Sequence, residues 1–198
     1  MDGTTLGSKE TSSARRAPTN PGPENQSPSP TARPIESQRR LVTHIAAALI
    51  ARNHTLAVVE CTLGGGLGAA LTAVPGASAW FIASVAPYAA VAKEDLLGLK
   101  PSDFGPDGAV SAGAARRMAE AARGRLGATW ALAETGIAGP RGRHRSAKEP
   151  GTAFLCLVGP NGAAYERAVR TGVDARAANR RAFLAAALDL LVERLAAV

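Results

Sequence analysis

The chain has 198 residues, enough for one compact domain with an appendage and too few for two full domains. Hydrophobic residues make up 46% of it but aromatic ones only 4%, so the core must be built mainly from Ala, Val and Leu. The formal net charge is +7, yet basic residues are interspersed with acidic ones except between 141 and 148 and in the last helix. With no RNA-binding signature, zinc-finger spacing or aromatic ladder beside it, that charge is weak evidence for a polyanion partner, and no nucleic-acid partner is expected.

Residues 1–36 are rich in Ser, Thr, Pro, Gly and Asn and carry almost no large apolar side chains, which predicts a disordered tail. The compact domain, 37–198, is expected to open near Ser37, a plausible N-cap. Leu41, Ile45, Leu49 and Ile50 then follow at helical spacing. The apolar run at 55–60 predicts a short strand that enters Cys61-Thr62-Leu63-Gly64-Gly65-Gly66 and then a helix at about 66–73.

Residues 82–88 are apolar and partly β-branched, with Pro87 marking a strand end or a sheet edge. A helix over 91–98, a loop over 100–108 and a helix capped by Ser111 and reaching about Arg125 come next. The segment 128–134 reads as a buried strand, and 135–151 as a long loop with a basic middle and no apolar periodicity. Asn161-Gly162 is a hairpin signal between two further strands. Ala182, Leu184, Leu188, Leu191, Val192 and Leu195 place a long closing helix over 175–197. This order predicts an α/β fold, a mixed sheet covered by helices in three layers.

Cys61 and Cys156 are the only cysteines, too few for a disulfide scaffold and without metal-ligand spacing. His44, His54 and His144 are unrelated in spacing, so neither a metal site nor a Ser-His-Asp triad is signalled, and no metal or cofactor is expected. The absence of a signal-peptide pattern and of any run of about 18 apolar residues predicts a cytoplasmic protein.

The glycine turn after Cys61 lets backbone amides approach a ligand and aims a helix N-terminus at an anion. It equally suits a tight strand-to-helix connection beside an inert buried thiol. The amides of Gly136, Ile137, Ala138 and Gly139, followed by Arg141, Arg143, Arg145 and Lys148, would welcome a phosphate, or form a solvated basic loop.

Residues 58–81 look like the signature turn of the CinA C-terminal domain family. The resemblance continues through Tyr88, Lys93, the Gly108-Ala109-Val110-Ser111 helix entry, Thr135 to Pro140, Pro150-Gly151-Thr152 and Arg180-Arg181, covering about 41–195. It implies a metal-free amidohydrolase that deamidates a pyridine nucleotide such as nicotinamide mononucleotide, working as a homodimer. It further implies Cys61 in place of the family's nucleophilic serine, Tyr88 as proton relay and Lys93 as general base or electrostatic activator. Thr62, Gly64, Gly65, Gly136, Ile137, Ala138, Gly139, Arg180 and Arg181 would bind substrate, with the 64–66 turn holding the oxyanion.

This chain departs from the family pattern at Cys61, where the serine is missing, with Thr62 and Leu63 after it, at the apolar Ala89, Ala90 and Val91, and at Arg141 in place of Asp. Those departures suit a second expectation, an inactive relative that keeps the fold as a nucleotide-binding or interaction module.

Overall fold

The computed structural model describes residues 1, 3, 35–142 and 148–196. The predicted tail, apart from residues 1, 3, 35 and 36, and Arg143, His144 and Arg145 lie outside the described residues.

Five strands form one sheet: β1 (Leu56–Glu60), β2 (Phe81–Val85), β3 (Trp130–Ile137), β4 (Thr152–Val158) and β5 (Ala164–Arg170), in the spatial order β2-β1-β3-β4-β5. β1 runs parallel to both β2 and β3, while β4 and β5 are antiparallel additions, so the sheet is mixed. β1 is buried along its whole length and β3 over its first six residues, which is why both read as unbroken apolar runs. β2 and β5 are the two sheet edges and alternate between half-buried and exposed positions.

Five helices cover the sheet: α1 (Ile35–Ala51), α2 (Gly66–Thr72), α3 (Ala90–Leu97), α4 (Ala112–Leu126) and α5 (Arg176–Ala196). Val42, Ile45 and Leu49 of α1, Leu67 and Leu71 of α2, and Phe183, Leu188 and Leu191 of α5 pack on Leu56, Val58, Trp130 and Leu132. On the opposite face, Ala114, Ala115, Met118 and Ala122 of α4 meet Val59, Ala131, Ala133 and Cys156. Small alanines let α4 lie close to the sheet, the consequence of a core with few aromatics. This is the expected three-layer α/β arrangement.

Three boundaries differ from the sequence reading, the first being β2, which ends at Val85 and leaves Pro87 and Tyr88 outside the strand expected over 82–88. α1 begins at Ile35, so Ser37 sits inside its first turn and is not its N-cap. β3 continues through Thr135, Gly136 and Ile137, where sequence alone suggested a loop, because Phe154, Ala153 and Thr152 pair with these residues across the antiparallel ladder. Ser111 does cap α4, its side chain accepting from the Ala114 amide at 3.1 Å. Asn161 and Gly162 both take positive φ between β4 and β5, the conformation their types permit in a tight connection.

Candidate active site

The chain leaves β1 through α2 on one face to reach β2, then returns through α3 and α4 on the other face to enter β3. The carboxyl end of β1 is therefore where the winding reverses, the position at which open α/β sheets leave a crevice. A cavity of about 220 Å³ lies there, lined by Cys61, Thr62, Tyr88, Lys93, Arg176 and the β3 end from Thr135 to Ala138, among others.

Cys61 follows β1 directly and is 7% exposed. Its Sγ lies 3.8 Å from the Pro87 carbonyl and 3.6 Å from the Met118 sulfur. Lys93, on α3 and 6% exposed, donates from Nζ to that same Pro87 carbonyl at 2.8 Å and to the Tyr88 carbonyl at 3.1 Å. Thiol and ammonium thus converge on one carbonyl at the cavity wall. Burial pushes the Cys61 thiol up to about 11, with the Lys93 charge opposing the rise and the Glu134 carboxylate adding to it. Tyr88 lines the cavity and is 63% exposed.

The turn after Cys61 is held by two buried carboxyl groups. Glu60 accepts from the amides of Leu67 and Gly68 at 2.8 and 2.7 Å and from the Ser84 hydroxyl at 2.6 Å. It therefore occupies the start of α2, where sequence reasoning placed a ligand's oxyanion or phosphate. Glu134 accepts from the amides of Thr62 and Leu63 through Oε2 at 2.9 and 3.1 Å, and its main-chain carbonyl accepts from the Cys61 amide at 3.1 Å. Burial raises the Glu134 carboxyl to about 7, with the two amide donors opposing that rise and the charge of Glu60 adding to it. The Thr62 hydroxyl donates to the Gly136 carbonyl at 3.0 Å, tying the turn to β3.

The structure brings Cys61, Thr62, Tyr88, Lys93, Gly136, Ile137 and Ala138 to one cavity. It does not bring the others there. Gly64 and Gly65 adopt positive φ of 56° and 93°, which a turn this tight requires, but neither lines the cavity. Arg180 donates to the Leu63 carbonyl at 2.5 Å and, with Arg181, lines a separate shallow depression beside Gly66. Gly139 gives its carbonyl to Arg176 at 3.2 Å. Arg141 is engaged by Glu149 and by Asp174, which accepts from its amide at 3.1 Å, and Lys148 by the carbonyls of Asp107 and Val110.

Sequence reasoning missed Glu134, Thr135 and Arg176, and the role of Glu60. A visible signal existed for the two glutamates: each is the single charged residue in a mainly apolar stretch of sequence, 55–60 for Glu60 and 128–134 for Glu134. Thr135 donates to the Ala109 carbonyl at 2.7 Å and lines the same cavity as Cys61. Arg176 carries a guanidinium to the cavity from the start of α5, a position no local pattern marks.

Among the described residues no cluster of three or more His, Cys, Asp or Glu could hold a metal ion, and no helix is long and apolar enough to cross a membrane.

A three-layer α/β domain with a cysteine-bearing turn over a small cavity at its topological switch point defines the class. The CinA C-terminal domain family model matches residues 38–195, and the chain belongs to that family. It is 43% identical over 125 residues, 63% of its own length, to a CinA-like protein of Synechococcus sp. (strain RCC307). It is 41% identical over 152 residues, 77% of its length, to a CinA-like protein of Frankia casuarinae. The matches cover 30% and 34% of those proteins, so the chain spans about a third of the length of these curated relatives. The crystal structure of a competence/damage inducible protein from Agrobacterium tumefaciens superposes with a TM-score of 0.73 at 32% identity, covering 79% of this chain and 94% of that one. A CinA superfamily protein from Klebsiella pneumoniae gives 0.73 at 29% identity, covering 81% and 99%.

Proposed function

We propose that the chain is a cytoplasmic amidohydrolase that cleaves the carboxamide of a pyridine nucleotide, nicotinamide mononucleotide being the test substrate, with Cys61 as nucleophile. One observation carries the reading: the Cys61 thiol and the Lys93 ammonium meet at the Pro87 carbonyl on the wall of the cavity. Two of the three Lys93 protons are engaged by carbonyls, leaving one for a thiolate or for the oxygen of a tetrahedral adduct.

The thiol loses its proton to solvent, and the thiolate forms a C–S bond to the amide carbon while the carbonyl π pair moves onto oxygen. Collapse of that adduct breaks the C–N bond. The departing nitrogen takes a proton from Lys93, which regains one from water, and ammonia leaves. Water then adds to the thioester, a C–O bond forms, the C–S bond breaks, and the acid and the thiol are released. The net change is amide plus water to acid plus ammonia. Arg176 supplies positive charge to the cavity for the nucleotide phosphate.

The test is ammonia release from nicotinamide mononucleotide by the purified chain, which Cys61→Ala should abolish. If folded wild type and Cys61→Ala are equally silent across pyridine nucleotides, the enzyme reading fails.

A second reading, a nucleotide-binding module without turnover, is favoured by the thiol's own environment. Burial pushes its pKa to about 11, which leaves roughly one molecule in ten thousand ionised near neutral pH. Calorimetric binding of nucleotide with no ammonia released would select it.

A further inference from the structure

Three consecutive amides of the turn that carries the thiol end on a single residue. The Cys61 amide bonds to the main-chain carbonyl of Glu134, and the amides of Thr62 and Leu63 bond to its Oε2. Glu134 is completely buried, and its other oxygen, Oε1, has no hydrogen-bond partner. Each bond alone would be ordinary. The first fixes Cys61 to β3, and the other two make the path of the main chain at 62 and 63 depend on where the carboxyl sits and on whether it is charged, because charged acceptors hold amides more tightly than neutral ones.

We propose that Glu134 is a positioning residue for Cys61: its carboxyl group clamps the 61–63 turn and so sets the placement and reactivity of the thiol in the cavity. The proposal rests on Cys61 being the reacting group, but not on the identity of the substrate.

The groups around the carboxyl are few. Glu60, its register partner on β1, presents a carboxylate already saturated by three donors. Cys61 and Thr62 lie on the same turn, and Lys93 reaches the thiol from α3. Arg180 approaches from α5 but is bonded to the Leu63 carbonyl, and Arg176 lies further along the cavity. On the β4 side the register partner is the apolar Leu155, and α2 contributes no charged side chain. Ionising Glu134 therefore adds negative charge beside a thiol that itself becomes negative when it reacts, and it tightens the clamp. The added charge slows the thiol.

The readout is the rate at which iodoacetamide labels Cys61, followed by intact mass from about pH 5.5 to 9.5 in a Cys156→Ala background that leaves one reporting thiol. Glu134→Gln keeps an oxygen for the two amides and removes the ionisation. The expected result is that both proteins label alike below about pH 6, where residue 134 is neutral in each, and that the Gln variant labels about threefold faster or more above pH 8. A ratio that is constant across the range would mark a merely structural role and overturn the proposal, as would identical profiles. Should Glu134→Gln fail to fold by circular dichroism, the parent protein decides: a bend in its rate profile between about pH 6 and 8 supports the clamp, and a straight unit-slope line overturns it. Labelling needs no amide substrate. A lack of ammonia release would therefore sink the amidase reading without touching this one, and a flat labelling ratio would do the reverse.

Discussion

Glu60 and Glu134 are register partners on the adjacent parallel strands β1 and β3, so two buried carboxyl groups lie side by side at the end of the sheet where the cavity opens. They are not equivalent. Glu60 is saturated by three donors, whereas Glu134 has two donors on one oxygen and none on the other. Like charges this close are tolerated when one of the pair takes up a proton readily, and the under-satisfied member is the one whose pKa burial raises to about 7.

That asymmetry sets a pH dependence of stability. A free glutamate titrates near ~4.3, and between that value and about 7 the folded chain binds more protons at this site than the unfolded chain. Stability from this group is therefore fully present below about pH 4, falls as pH rises towards 7, and is level above it, a loss of roughly 3 kcal/mol. Urea unfolding of wild type and Glu134→Gln at pH 5 and pH 8 should show the loss in wild type alone. Equal losses in both would assign the effect to other groups.

Glu60→Ala tests the partner. It removes the acceptor for the Leu67 and Gly68 amides, stranding two donors in the interior, and frees the hydroxyl of the exposed Ser84 to water. At about 1–3 kcal/mol for each unsatisfied buried donor, a loss of at least roughly 2 kcal/mol is expected, measured as a fall in the urea midpoint at constant slope. A loss below about 1 kcal/mol would mean that water replaces the carboxylate.

Thiol chemistry should rise steeply with alkalinity. With the Cys61 thiol pushed up to about 11, the thiolate fraction grows about tenfold per pH unit between 8 and 10. Both amide turnover and alkylation should follow it, without the levelling above about pH 9 that an ordinary exposed cysteine shows. A plateau below pH 9 would mean that Lys93 overrides burial.

Much of this fold was legible because buried parallel strands and amphipathic helices have strong periodicities, as Leu56 to Val59 and Leu184 to Leu195 illustrate. The end of β3 was not. Thr135, Gly136 and Ile137 have the composition of a turn and become strand only because a distant segment, Thr152 to Phe154, supplies the ladder. Of the cavity lining, the Cys61 turn was marked by its glycines, whereas Tyr88 and Lys93 were marked only by the resemblance to the family. Arg176 and Glu134 reach it only through long-range packing, which no window of sequence contains. The glycine turn misled in the opposite direction, since its shape promised a ligand while Glu60 fills the place from within the chain.

Gly136 shows how tightly that late strand is specified. A Cβ there would lie 2.7 Å from the Thr152 carbonyl oxygen and 2.8 Å from the Ala153 Cβ, distances that backbone atoms cannot relieve cheaply. Gly136→Ala should cost about 1–3 kcal/mol in stability and, by moving the carbonyl that receives the Thr62 hydroxyl, weaken nucleotide binding. Thermal melts and calorimetry on one preparation would read both. A variant as stable as wild type would show that β3 and β4 can part at this point.

Arg176 and Arg180 lie one helical turn apart on α5 yet face different tasks. Arg176 lines the cavity and spends one bond on the Gly139 carbonyl, which leaves guanidinium protons for an anionic ligand. Arg180 is committed to the Leu63 carbonyl and braces the Cys61 turn from behind. Arg176→Ala should therefore weaken nicotinamide mononucleotide binding about tenfold, with a much smaller effect on nicotinamide riboside, which lacks the phosphate. Arg180→Ala should weaken both ligands equally and lower the melting temperature, because it acts through the turn. Calorimetric titration of the two ligands into the two variants separates these outcomes. A phosphate-selective loss in Arg180→Ala would move the phosphate site to the depression beside Gly66.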